Sequence, residues 1–392
     1  MRARLGTLVV IAALLGGCSH STETRTATPE RQSAAPDAVH ELVAGARLLG
    51  QRRQAARREA AAHFRRALEI DPTLWEAHYD LGVVARRDGD LPTAIREFEE
   101  ARRRAPESET VALALAESLQ AAGRSDDGRS VLEDCVRRHP DSITARSALA
   151  TLHRETGHYS EALDVAREAL VRDPTDVRGL VEVGRIYRAR EQYDVADLVL
   201  RKALALVPAG EARGKATVWN EIGLLELARG DTQAAFTAFG EANAADPRFQ
   251  PARRNQGAVL LRAGDFAGAT EQYEALVRID GDDLDAHVGL AIALRGQGQH
   301  ARAKQELERV LEADPENLAA IFDLGILEAD FLSQREAARD QFRRFLDLAP
   351  GRHPARATAE RYVADITAEL NAPPPAPAEE IPLEEETPLE KP

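Results

Sequence analysis

The chain has 392 residues, a formal net charge of −14 and a hydrophobic content of 44%. That is long enough for two ordinary domains or one long array, and apolar enough to bury a core. The acidic balance argues against generic binding to nucleic acid, and few aromatics beside abundant alanine suit closely packed helices.

In chain order, the first residues read MRARLGTLVVIAALLGGCSHS. Arg2 and Arg4 make a basic start. Leu5 to Leu15 is an apolar run of about 11 residues, too short to span a bilayer but right for a secretory signal. It ends in Leu15-Gly16-Gly17-Cys18. This stretch resembles the lipobox of bacterial lipoproteins. The resemblance implies cleavage after residue 17 and lipidation of Cys18. With Ser19 rather than Asp next, it implies lipid anchoring at the outer membrane, facing the periplasm. An ordinary signal with an incidental cysteine is the alternative. Residues 18–38 are then the lipidated cysteine and a Ser/Thr/Pro-rich flexible tether. Cys135 is the only other cysteine, so lipidation of Cys18 excludes an intramolecular disulfide and leaves stability to packing.

From residue 39 prolines mark a period. Pro72, Pro106, Pro140, Pro174 and Pro208 are each 34 residues apart, Pro247 follows after 39, Gly281 takes the next slot, and Pro315 and Pro350 follow. Leu81-Gly82, Ala94, Phe98 and Ala101 recur in the same register as Ile222-Gly223, Ala235, Phe239 and Ala242, and as Leu324-Gly325, Ala338 and Phe342. This pattern resembles the tetratricopeptide repeat. The resemblance implies an all-α fold: a right-handed α-solenoid superhelix of about nine helix pairs over residues 39–352, starting near residues 41, 75, 109, 143, 177, 216, 250, 284 and 318. Small residues at repeat positions eight and twenty let the helices approach, large ones at seven and twenty-four fill the gap, and the proline ends the second helix. Residues 353–371 read as a capping helix. Residues 372–392 are Pro/Glu-rich and are expected to be disordered.

The extra length before Pro247 falls at 210–214, GEARG, and is expected to sit between repeats five and six and loosen or re-angle their interface, with Lys215 opening the next helix. GEARGKAT is not a phosphate loop: Ala209 stands where the first glycine belongs and Ala216 where a hydroxyl belongs. DGDDLD, Asp280 to Asp285, fails as a calcium loop and reads as turn and cap carboxylates. Cys135 reads as a small buried hydrophobe, and His153 as packing. No catalytic motif, metal site or cofactor is implied, so an enzyme is not expected.

In tetratricopeptide-repeat proteins the first helices line a concave groove through positions two, five, nine and twelve. Carried onto this register, the partner-binding positions are Tyr79, Val83, Arg86, Arg154, Arg178, Val181, Arg185 and Arg188 in the first half. In the second half they are Asn220, Leu224, Arg254, Leu261, Val288, Ile292, Arg295, Phe322 and Ile326. The family's Lys/Asn clamp for a terminal carboxylate is missing apart from Asn220. Arginine forks suit carboxylates on a partner, so an extended or helical protein segment with acidic residues is one expectation. Internal pairing of these arginines with neighbouring glutamates is the other. The function implied is a non-catalytic scaffold in an envelope complex. Lipoproteins of gliding-motility and type IV pilus systems are similar. An accessory role in envelope polysaccharide handling is the alternative.

Overall fold

The computed structural model describes residues 35–50 and 54–372. The signal region, Cys18, most of the tether and the acidic tail lie outside the described residues. Within them are nineteen helices and no strand. They run as nine pairs and a final helix: α1 (Pro36–Leu49) with α2 (Gln54–Ile70), α3 (Trp75–Arg87) with α4 (Leu91–Arg104), α5 (Glu109–Ala121) with α6 (Ser125–Arg138), α7 (Ile143–Glu155) with α8 (Tyr159–Arg172), and α9 (Val177–Ala189) with α10 (Tyr193–Leu206). Then come α11 (Ala212–Arg229) with α12 (Thr232–Ala245), α13 (Gln250–Ala263) with α14 (Phe266–Ile279), α15 (Leu284–Gly296) with α16 (His300–Ala313), α17 (Leu318–Asp330) with α18 (Arg335–Leu348), and α19 (Arg356–Asn371).

Local chemistry sets these boundaries. Ser108, Ser142, Asp176, Asp283 and Asn317 each precede a first helix and accept a hydrogen bond from a backbone N–H of its first turn. This satisfies one of the donors that a helix start leaves free. Between the helices of a pair the chain reverses through a left-handed residue. Glycine supplies it at Gly89, Gly123, Gly157, Gly230, Gly264 and Gly298, with φ between 74° and 87°. In the fifth pair that position is Glu191, with φ 60°.

The small-for-large exchange within each pair is steric. A Cβ at Gly82 would stand 2.6 Å from Phe98, and one at Gly223 2.5 Å from Phe239. Both phenylalanines are fully buried. The chain divides into two compact units, one ending at Ala252 and one beginning at Arg253. In the first, one apolar cluster joins Phe98, Leu115, Leu119, Leu132 and Leu149 across three repeats. In the second, Ile321, Phe342 and Phe345 pack with Ala359 and Ile366 of α19. Tyr362 of α19 stacks on Phe342 with centroids 4.5 Å apart, so the final helix covers the apolar end of the last pair, as a cap must in a stacked array.

Two expectations need correction. The tether does not reach residue 38, because α1 begins at Pro36 and Ala38 is fully buried. A proline in the first turn loses no helical hydrogen bond, so the chain turns helical there. The residues at 210–214 are not a loose insertion either. Gly210 turns the chain at φ 90°, and helix begins at Ala212, three residues before Lys215. The extra length becomes an additional turn of α11, which has 18 residues against 13 in α9. Nor does it open the interface: Leu180, Leu200, Val218, Ile222 and Leu225 form one cluster across it.

Candidate functional site: the first-helix face

First helices of successive repeats pack on one another, as α5 on α7, α7 on α9 and α9 on α11 in the first unit and α15 on α17 in the second. The positions expected to meet a partner lie on these helices. Val181, Asn220 and Val288 are buried, whereas Tyr79, Val83, Leu224, Leu261, Ile292, Phe322 and Ile326 are half-buried. Tyr79 leans on Phe98 with centroids 5.6 Å apart. Phe322 packs on Phe342 and Phe345 at 5.7 and 5.1 Å.

The arginines are held by the chain's own carboxylates. Arg86 lies over the Phe98 ring and donates to Glu117 of the next repeat. Arg154 Nε donates to Glu182 Oε1 at 2.7 Å. Arg185 donates to Glu182 at 3.4 Å and to Glu221 at 2.7 Å, and Arg188 Nη2 stands 3.5 Å from the other oxygen of Glu221. In the second unit Arg254 donates to Asp283 at 2.5 Å and Arg295 to Asp323 at 2.9 Å. Arg178 is the exception: it is 65% exposed, and its nearest carboxylate is Asp176 at 3.6 Å.

Three of these contacts share a register across repeats, an arginine at position twelve reaching an acid at position six of the following repeat: Arg154 to Glu182, Arg188 to Glu221, Arg295 to Asp323. Arg86, also at position twelve, reaches position nine instead, at Glu117. Glu182 and Glu221 are only 3% and 4% exposed. A buried carboxylate without a cation would be costly, so the arginine is what permits it. Burial works against the charge on Arg185, but the two glutamates outweigh it and raise its pKa. Burial raises the Asp323 carboxyl despite Arg295 beside it. Asp80 stands at the same position six. Burial, with Glu76 nearby, pushes its carboxyl up to about 7 against the pull of Arg87.

The position-six acids were not found by sequence reasoning. The signal was present, since Asp80, Glu182, Glu221 and Asp323 interrupt otherwise apolar helix faces at one repeat position. Elsewhere the residues stand as the sequence suggests. Cys135 is buried and its thiol is pushed up to about 11 by burial. His153 is buried, and Asp283 caps α15.

Family models described as tetratricopeptide repeat match residues 63–96, 113–177, 180–213, 220–283 and 260–325, together more than half of the chain. A protein described as "Protein CTR9 homolog" from Arabidopsis thaliana is 27% identical over 153 residues, 38% of this chain. The match spans only 14% of that relative's length. Among solved structures, yeast Tom70 aligns over 85% of this chain and 96% of its own, at 13% identity and a TM-score of 0.43. The Cut9–Hcn1 complex aligns over 81% and 64%, at 12% identity and a TM-score of 0.48. With family models matching more than half of its length, and with nine helix pairs and a cap among the described residues, the chain belongs to the tetratricopeptide-repeat proteins.

Proposed function

We propose that the chain is a non-catalytic scaffold that holds a protein partner along its first-helix face. We propose further that a lipid on Cys18 ties it to the periplasmic side of the outer membrane, within an envelope-spanning assembly of the motility, pilus or secretion kind. The observation that carries the scaffold reading is the face itself. It presents half-buried apolar side chains beside arginines whose charges are already answered within the chain. Such a surface suits a polypeptide better than an anionic polymer, which would need uncompensated cations. For the same reason the partner's acidic residues matter at Arg178 more than at Arg154, Arg185 or Arg188.

The anchor rests on Leu15-Gly16-Gly17-Cys18. Acyl chains contribute about 0.8 kcal/mol per buried methylene, so several chains hold a protein at a membrane without a spanning helix. Among the described residues, no helix is long and apolar enough to cross a membrane.

The test is site-specific photocrosslinking in the native envelope, with the crosslinker at Leu224 or Ile292 and, as an outer-helix control, at Lys202. A defined protein adduct from the first two positions and none from the third supports the scaffold. Equal labelling at all three, or labelling of carbohydrate alone, removes it. For the anchor, a fully processed Cys18→Ser protein that still fractionates with membranes refutes lipidation.

A further inference from the structure

At eight of the repeat junctions a proline fixes the backbone, and at the ninth the slot is held by Gly281. Glycine leaves that turn more freedom than any other residue. Its carbonyl oxygen lies 3.0 Å from Nε2 of His287, and Nδ1 of the same ring lies 2.6 Å from Glu306 Oε2. His287 is fully buried at position four of its repeat. His78 makes the matching bond to Glu97 in the second repeat, at 2.8 Å, where Pro72 already sets the turn.

Both partners of the His287 ring are acceptors. A neutral imidazole has one N–H and one lone pair, so it can donate to only one of them. The second contact would then set lone pair against lone pair in a buried site, unless one more proton is present. That proton can ride on the imidazole or on the Glu306 carboxyl, and both contacts are satisfied either way.

We propose that His287 and Glu306 share a buried proton, and that this proton locks the junction between the seventh and eighth repeats in place of the missing proline. The surrounding charges are compatible with its retention. The turn carries Asp280, Asp282 and Asp283, and Asp283 is bonded to Arg254 of α13. Of the neighbours of α15, α14 offers Glu274, bonded to Arg302 of α16 at 3.1 Å and 3.7 Å from Arg278, and α17 offers Asp323, bonded to Arg295. α16 offers Glu306 itself, while Lys304 of that helix is bonded to Glu328 of α17. Glu306 is partly exposed, which gives the proton a route to solvent. With that proton gone, the two acceptors around the ring oppose a single N–H, one contact is lost and the turn is freed.

The experiment uses the full chain, with imidazole ¹⁵N NMR and hydrogen exchange of amides 276–290 between about pH 6 and about pH 9, corrected for intrinsic exchange. At the acid end the ring and the carboxyl are expected to hold two exchangeable protons between them, and protection should fall as pH rises. Glu306→Gln keeps the shape and should abolish that pH dependence. His287→Asn should speed exchange roughly tenfold, the effect of one or two lost buried hydrogen bonds. Adding Gly281→Pro should restore most of it. Proline fits there: Asp280 is extended at φ −143°, ψ 99°, and a Cβ on Gly281 would meet only the Val277 carbonyl, at 3.8 Å. A single proton on the pair at every pH, unchanged pH dependence in Glu306→Gln, or no rescue by proline would each overturn the proposal.

Discussion

Glu191 occupies a left-handed turn that glycine occupies in six other repeats, and replacing it with glycine should stabilise the fifth repeat. For a residue with a Cβ, a left-handed backbone costs roughly 1–2 kcal/mol. Glycine costs about 0.5–1 kcal/mol more in lost chain freedom on folding, which offsets part of the gain. A second term adds to it. Glu191 stands two residues beyond the end of α9 (Val177–Ala189), where a negative charge opposes the helix dipole by about 0.3–1 kcal/mol. The side chain is exposed, so little packing is lost. The net expectation is a gain of about 1 kcal/mol. Repeats in an array unfold regionally, so one melting temperature is the wrong readout. Native-state hydrogen exchange of α9 and α10 is the right one, and about 1 kcal/mol corresponds to roughly fivefold slower exchange. The equivalent turn one repeat earlier is Gly157, at φ 80°, where a Cβ would meet no atom within 4 Å. Any penalty for a side chain there is thus one of backbone conformation and not of crowding. Gly157→Glu should therefore speed exchange in α7 and α8 by a similar factor. If Glu191→Gly leaves exchange unchanged while Gly157→Glu speeds it, turn strain at Glu191 is not what the backbone angle implies.

Three further outcomes are expected. The Asp80 carboxyl is raised above its value in an unfolded chain, so between about pH 4 and about pH 7 the folded state holds the extra proton and stability falls as pH rises, by at most about 1.4 kcal/mol per pH unit. Asp80→Asn should flatten that slope in denaturant titrations of the first unit, and an unaltered slope would refute the assignment. Glu221→Ala removes the carboxylate between Arg185 and Arg188 and should destabilise the first unit by about 1.5–3 kcal/mol, the worth of a hydrogen bond to a charged group, because Arg185 keeps Glu182 and both arginines reach solvent. A double-mutant cycle with Arg185→Ala should then show strong coupling, and additivity would contradict the bond. Cys135, with its thiol pushed up to about 11, should react with an aromatic disulfide reagent only after unfolding, and prompt reaction in native buffer would show the site to be open.

The helix pairs are legible in the sequence because their signals are local. Gly82 against Phe98 and Gly223 against Phe239 repeat at fixed spacing, and each proline marks an end. The start of α11 is hidden because Pro208 and Gly210 look like a loop. The residues that follow, Glu211-Ala212-Arg213, include good helix formers that wind one more turn. The first-helix face is legible as positions but not as chemistry. Whether Arg154 meets Glu182 depends on the rotation between two repeats, and no single window of sequence contains that rotation. The same holds for His287, whose partners lie 6 residues before it and 19 after it.

The arginine-to-acid contacts between consecutive repeats also bear on how such a chain can lengthen or shorten over time. A helix pair built only from alanine, glycine and phenylalanine contacts can be copied, deleted or moved, because every neighbour presents the same surface. The pair carrying Glu182, Arg185 and Arg188 cannot. Moved to follow a repeat without an arginine at position twelve, such as the third, where Gln120 stands, it would leave Glu182 without that partner, and it would leave Glu221 without its own. The middle of the first unit is thereby fixed in order.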